Sequence, residues 1–286
     1  MRLGTRGSAL ALAQAREVAA ALGGDVEVVT ITTSGDRDRA RGDKERWVRE
    51  IDAALLRGDV DVAVHSAKDV PARLADGIVI AAVPSRADPR DALCGAPSLD
   101  ALPEGARVGT SSLRREAQLR ALRDDLDVLE LRGNVDTRLG RLRAGDYDAI
   151  VLARAGLDRL GRGAEATAVL DELVPAAGQG ALAITVRSDD AAARAAVAAI
   201  SNERGERSLA AERALVRALE ADCHTPVGAH AVARDAAGPL VLQAFVGAPD
   251  GSMWVRDELS GDDPEALGAE VARRLRAAGA DEVLGR

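Results

Sequence analysis

The chain has 286 residues, 47% of them hydrophobic, which is enough to bury two or three separate cores. A net charge of −8 argues against nonspecific nucleic-acid binding, and two widely separated cysteines argue against a disulfide framework. The most apolar N-terminal run, ALALAQAREVAAALGG, is interrupted by Gln14, Arg16 and Glu17, so neither an export signal nor a membrane span is expected; the expected address is the cytoplasm.

Strand-like and helical runs then alternate. Val26–Thr33 reads as a strand, RWVREIDAALLRG as a helix, and Val60–Val64 and Ile78–Val83 as strands. The Pro-rich, charged stretch PSRADPRDALCGAPS reads as a connector, after which the pattern restarts. ARVGTS, LDVLELR and YDAIVLA are strands, separated by the helices LRREAQLRAL and NVDTRLGRLRAG. Such alternation predicts parallel α/β layers, and the connector predicts two of them. From about Ser201 the style changes to a long helix, RSLAAERALVRALEA, then the strands VLQAFVG and MWVRDEL around the turn APDG, and a closing helix from Pro264. That is a third unit of α+β build.

Four motifs fall where a strand hands over to a helix or turn: GTRGS at Gly4–Ser8, HSAKDVP at His65–Pro71, GTSSLRR at Gly109–Arg115 and LRGNVDTR at Leu131–Arg138. Ligand sites of α/β units gather at such junctions. Between Arg107 and Arg143 there are nine arginines against six acids, in a chain that is acidic overall. Helix N-terminal amides with arginine forks suit carboxylates or phosphates. Arg120, Arg123, Arg141 and Arg143 read as solvated helix faces, whereas Arg6, Arg114, Arg115, Arg132 and Arg138 sit near turns and read as ligand contacts. Of 38 basic residues only Lys44 and Lys68 are lysine, and a retained lysine offers a compact point charge that a guanidinium does not.

The series TRGSALALAQA, DVAVHSAKDVP, DPRDAL, VGTSSLRREAQL, LRGNVDTRL, YDAIVLARAGLDRLG, PAAGQGAL and CHTPVGAHA resembles, in order, the motifs of the porphobilinogen deaminase (hydroxymethylbilane synthase) family. The resemblance implies two periplasmic-binding-protein-like α/β domains around a cleft plus a smaller α+β C-terminal domain. Domain 1 would be residues 1–84 and 181–200, domain 2 residues 88–175, and domain 3 residues 203–286. It implies a cytoplasmic, monomeric transferase that joins four porphobilinogen molecules head to tail with loss of ammonia, using no metal, nucleic acid or membrane. The primer would be a dipyrromethane cofactor held as a thioether by Cys223; a thiolate is a strong nucleophile for such a linkage.

Carried over residue by residue, the resemblance makes Asp69 the catalytic carboxylate. Lys68, Asp69, Ser111, Arg114, Arg115 and Arg132 would bind the cofactor with Cys223, and Arg6, Ser8, Arg138 and Arg159 the substrate. Cys94 matches no motif and reads as a small buried hydrophobe. Two features depart from the family pattern. Ala221-Asp222 replaces two glycines before the cysteine, so the loop geometry is expected to differ and Asp222 to raise the thiol pKa. The lid segment SGDRDRARGDKERWV is short and charged, with Trp47 where a phenylalanine is usual and Lys44 nearby. Three rivals are weaker. A solute-binding protein would not need Cys223, a cysteine hydrolase built on Cys223 and His224 lacks an orienting third group, and one Phe, one Tyr and two Trp are too few to stack RNA bases.

Overall fold

The structure is a computed structural model that describes residues 1–33, 45–222, 225–233 and 238–286. In chain order the first half carries β1 (Arg2–Arg6), α1 (Ala9–Leu22), β2 (Glu27–Ile31), α2 (Glu45–Leu56), β3 (Val62–Ser66) and β4 (Ile78–Ala82). A 3-10 turn, Ala67–Asp69, follows β3 directly. The second half carries β5 (Asp91–Cys94), β6 (Arg107–Thr110), α3 (Leu113–Leu122), β7 (Asp127–Glu130), α4 (Val135–Arg143), β8 (Ala149–Ala153), α5 (Arg154–Arg159) and β9 (Ala168–Leu170). The chain then returns through β10 (Leu182–Arg187) and α6 (Ala191–Ala198).

Two five-stranded sheets result, in the orders β2-β1-β3-β10-β4 and β7-β6-β8-β5-β9. The plan is the same in both. Three parallel strands are followed by one antiparallel strand, β10 or β5, that the chain delivers by crossing between the halves. Each antiparallel strand is buried along most of its length because it lies between two neighbours. Helices cover the sheets with apolar stripes: in α2, Val48, Ile51, Ala54 and Leu55 are buried, and the last three pack with Val60, Ala63 and Ile78.

The third body is the meander β11 (Val227–Ala233), β12 (Leu240–Gly247) and β13 (Trp254–Gly261), backed by α7 (Glu203–Ala218), α8 (Pro264–Ala277) and the short α9 (Ala280–Val283). Its core joins Leu215, Leu242, Val246, Leu267, Val271 and Leu275. α7 and α8 approach so closely that a Cβ on Gly268 would lie 2.4 Å from the Ala211 carbonyl oxygen and 2.6 Å from the Ala214 Cβ.

Three details correct the sequence reading. The stretch expected as a connector contains β5, and all four of its residues are buried. It is too short, and buried on both faces, to show alternation. β3 begins two residues later than expected, so His65 and Ser66 are strand residues and the turn starts at Ala67. The segment after Pro226, between the long helix and VLQAFVG, holds a strand that the sequence reading lacks, β11, whose small residues Gly228, Ala229 and Ala231 hide its pattern.

The α7–α8 contact leads to a stability prediction. Gly268→Ala places a methyl against fixed backbone and is expected to cost about 1–3 kcal/mol. Urea unfolding checks this: a midpoint equal to the parent's would mean the two helices separate without loss.

Candidate functional site

The parallel strands of both sheets end on the same kind of feature. β1 leads to Arg6 and Ser8, β3 to Lys68 and Asp69, β6 to Ser111 and the first turn of α3, and β7 to Arg132 and α4. Three caps start these helices. Ser8 Oγ accepts the Ala11 N–H (3.2 Å), Ser112 Oγ the Arg115 N–H (3.4 Å) and Asn134 Oδ1 the Thr137 N–H (2.8 Å). Ser8 is therefore a helix cap whose hydroxyl hydrogen remains to donate.

Arg114 and Arg115 are buried, and both turn onto one carboxylate, Asp91, at the start of β5. Arg114 Nη1 donates to Asp91 Oδ2 (2.8 Å) and the Val174 carbonyl (2.7 Å). Arg115 donates through Nε to Asp91 Oδ1 (2.9 Å) and through Nη1 to the Val151 carbonyl (2.9 Å), and its Nη2 lies 2.8 Å from Asp91 Oδ1. Arg115 is thus engaged on every nitrogen. Arg114 is not: its Nε is buried and meets no acceptor among the described residues. Burial alone would raise the Asp91 carboxyl, but Arg114 and Arg115 overcome it and hold Asp91 well below the usual carboxylate range.

Lys68 belongs to the same cluster from the other half. Burial, reinforced by Arg115, lowers its pKa to about 8, while Asp69 and Asp91 pull the other way. Arg138 donates to the Gly133 carbonyl (2.8 Å) and to Ser111 Oγ (3.2 Å), and burial with Arg115 nearby lowers its pKa to about 10. His65 is buried with Nε2 3.1 Å from Thr185 Oγ1, and burial drops its pKa to about 4, so it faces Asp69 and Arg6 uncharged at neutral pH. Lys68, Asp69, Asp91, Arg114, Arg115, Arg138 and Ser111 are therefore brought together across the two halves.

The other candidates lie apart or are otherwise engaged. Arg132 is exposed and pairs with Glu130 (2.6 Å). Arg159 is nearly buried in an ion pair with Glu17 of α1 (2.9 Å) and also donates to the Gly180 carbonyl (3.1 Å), so it ties the second half to the first. Arg120, Arg123, Arg141 and Arg143 make ion pairs with Glu116, Asp125, Asp146 and Glu165. Cys94 is fully buried, and burial pushes its thiol up to about 11. Cys223, His224 and Lys44 lie outside the described residues, as does the Trp47 side chain.

Sequence reasoning missed the residues that hold the site together. Gln179 reaches Lys68 and Asp91 at once. Arg213 of α7, nearly buried, donates to the carbonyls of Pro71 (2.8 Å) and Ala72 (3.0 Å), pinning the end of the Lys68–Asp69 turn to the third body. Glu212, fully buried, accepts from Arg86 (2.5 Å), the Gly178 N–H (2.6 Å) and the Ala231 N–H (2.8 Å), so one carboxylate joins both interdomain crossings to β11. The motifs DPRDAL and PAAGQGAL contained Asp91 and Gln179, but their partners are distant in sequence.

The chain ahead of Cys223 resolves the missing glycines. α7 ends with the Glu220 N–H on the Arg217 carbonyl (3.1 Å) and the Ala221 N–H on the Val216 carbonyl (3.0 Å), a Schellman closure. The left-handed residue this closure needs is Glu220, at φ 50°, and neither Ala221 nor Asp222 has positive φ. Asp222 instead exchanges bonds with Thr225, its N–H donating to Thr225 Oγ1 (3.0 Å) and its Oδ1 accepting from that hydroxyl (2.7 Å). A non-glycine residue in this conformation costs roughly 1 kcal/mol. Glu220→Gly is accordingly expected to raise stability by about 0.5–1 kcal/mol. A thermal midpoint that stays put or falls would show that the Glu220 side chain offsets the strain.

Comparison with known proteins agrees with this architecture. A family model described as "Porphobilinogen deaminase, dipyromethane cofactor binding domain" matches residues 1–195, and "Porphobilinogen deaminase, C-terminal domain" matches residues 207–277. The chain is 50% identical to the porphobilinogen deaminase of Rubrobacter xylanophilus, over 99% of this chain and 96% of that one. It is 46% identical to the enzyme of the same name from Deinococcus radiodurans, over 99% and 97%. Among solved structures, the methionine binding protein MetQ overlaps with a TM-score of 0.45 at 18% identity, covering 69% of this chain and 87% of that one. Matches that run the length of the chain at about half identity make it a member of the porphobilinogen deaminase family.

Proposed function

We propose that this protein catalyses the head-to-tail condensation of four porphobilinogen molecules to hydroxymethylbilane, as a monomeric cytoplasmic transferase primed by a dipyrromethane on Cys223. The observation that carries this reading is the gathering of cations between the halves, of which Arg114 and Arg115 are buried. Arg114 and Arg115 meet on Asp91, Lys68 lies in the field of Asp69 and Asp91, Arg138 lies near Arg115, and the buried Nε of Arg114 meets no acceptor among the described residues. Porphobilinogen and a dipyrromethane carry two carboxylates per ring, and such acids suit this cluster; a hydrogen bond to a charged group contributes about 1.5–3 kcal/mol. Among the described residues no helix is long and apolar enough to cross a membrane.

The residues fit the cofactor chemically. When bound, the dipyrromethane supplies the free pyrrole carbon to which the first substrate ring is joined. Lys68, Arg114 and Ser111 would hold its carboxylates, with Arg115 acting mainly as the backing that fixes Asp91 and the first turn of α3. Arg138, bonded to Ser111, and Arg6 would meet the acids of the incoming substrate, and Ser8 would donate its free hydroxyl hydrogen. Arg132 would have to exchange Glu130 for a ligand carboxylate, and Arg159 its Glu17.

Asp69 performs the chemistry. As the carbon–nitrogen bond of the aminomethyl group breaks, its electron pair leaves with ammonia and positive charge spreads to the substrate's pyrrole nitrogen. A carboxylate against that N–H stabilises the charge and can take the proton that the attacked carbon must lose. Arg213 and the turn around Lys68 keep Asp69 in place while the charge develops.

Three outcomes are expected. The intact mass of the denatured protein carries the increment of two linked pyrrole units, and Cys223→Ala does not; a chain that stays at its bare mass after incubation with porphobilinogen would sink the reading. Asp69→Asn folds but loses nearly all turnover, about two to four orders of magnitude, and normal activity would remove Asp69 from the mechanism. Lys68 is charged below about pH 8 and neutral above it. Uptake of porphobilinogen by the cofactor-free chain therefore falls as pH rises through about 8, and Lys68→Gln is slow at every pH without that step.

A further inference from the structure

The two crossings between the halves meet in one short turn, Gly178-Gln179-Gly180, to which the proposed function gives no part. Gly178 and Gly180 have φ of 74° and 84°. A Cβ on Gly178 would lie 2.8 Å from the Ala67 carbonyl carbon and 2.9 Å from the Lys68 nitrogen, and one on Gly180 2.5 Å from the Ala87 oxygen. Both positions therefore require glycine, which lets the turn press against the Lys68 backbone on one side and the outgoing crossing on the other. The Ala67 N–H donates to the Ala181 carbonyl (3.0 Å), and the Ala87 N–H to that of Gly180 (3.2 Å), closing the sandwich.

Gln179 sits between the glycines and is 1% exposed. Its Nε2 donates to Asp91 Oδ1 (2.8 Å) and to the Pro89 carbonyl (2.7 Å), while its Oε1 accepts from Lys68 Nζ (3.4 Å). The partners fix which way the amide points: an ammonium offers only donors, and a carboxylate and a carbonyl only acceptors. Only an amide of this length meets all three demands. A glutamate would set a second carboxylate against Asp91 and the Pro89 carbonyl, a methionine would leave all three unmet, and an asparagine falls one carbon short.

We propose that Gln179 is a positioning residue of the active site, an amide wedge that keeps Lys68 from pairing with Asp91. Asp91 is thereby left to Arg114 and Arg115, and the Lys68 ammonium is held off Asp91. The proposal rests on the functional reading above for what Lys68 binds, but the wedge itself is a property of the chain alone.

The shortage of lysine makes the test clean. In a Lys44→Arg background Lys68 is the single lysine of the chain, so lysine labelled with carbon-13 and nitrogen-15 yields one side-chain signal whose titration is followed by NMR in the cofactor-free protein. Gln179→Glu replaces the amide oxygen facing Lys68 with a charged one and is expected to raise the Lys68 midpoint by about one unit or more. Gln179→Met removes the wedge without adding charge. Both variants are expected to slow porphobilinogen uptake, read by intact mass, and kcat by about tenfold or more, with KM for porphobilinogen moving much less. A Lys68 midpoint within about 0.3 unit of the Lys44→Arg parent in Gln179→Glu overturns the proposal. So does uptake within about threefold of the parent in folded Gln179→Met. Failure of both variants to fold would make the residue a structural strut and overturns it equally. If the Lys44→Arg parent takes up no porphobilinogen, the functional reading fails, while the NMR midpoint still decides the wedge.

Discussion

Everything in this molecule depends on burying the two chain crossings that join its halves. A crossing carries backbone polar groups into a region shielded from water, and each must find a partner there. Two carboxylates do most of that work. Asp91, at the end of the outgoing crossing, collects two arginines and an amide; Glu212, from the third body, collects Arg86 and backbone donors from the returning crossing and β11. Either carboxylate without its partners would be an uncompensated buried charge, a loss of about 3–5 kcal/mol in comparable cases. Both are held well below the ordinary carboxylate range: burial would raise them, and the cations around each prevail. Their contribution is complete at neutral pH and is lost only as the medium falls below the unfolded-state values near 4.

The same economy explains why the site sits where it does. The C-terminal ends of the parallel strands already point helix N-termini and turns into the space between the sheets. The antiparallel strands β5 and β10 bring Asp91 and the turn around Gln179 into that space from the opposite direction. Structural support and the proposed ligand contacts therefore share residues. Arg115 is wholly spent on support, Arg114 half spent, and Lys68 placed but held near its own titration point. A cleft built this way gathers cations in a chain that is acidic overall, because fixed acids such as Asp91 anchor them from behind.

The third body acts as a brace. Consecutive residues of α7 reach in two directions: Glu212 holds the crossings, and Arg213 holds the carbonyls after Asp69. The same helix ends in the Schellman turn that leads to Cys223. One helix thus holds the carbonyls after the proposed catalytic carboxylate and sets the turn at Glu220-Ala221. Such coupling favours precise geometry at the site, since small displacements of reacting groups are costly in rate.

By itself the sequence determined the alternation of strands and helices, the number of bodies, the junctions at which the motifs fall and, through the order of those motifs, the family. These are local properties: hydrophobic period, turn chemistry and short runs such as HSAKDVP all lie within a few residues of one another. Tertiary structure decided that a presumed connector is a buried strand, that the arginines of GTSSLRR face Asp91 before any ligand, and that a glutamine ninety residues from its partner Pro89 stands between Lys68 and Asp91. It also decided that the strained residue before the cysteine is Glu220 and not the pair that replaces the glycines. Sequence could not supply these because the energy of a buried polar group depends on which distant partner meets it, and that is settled only when the sheets close on their crossings.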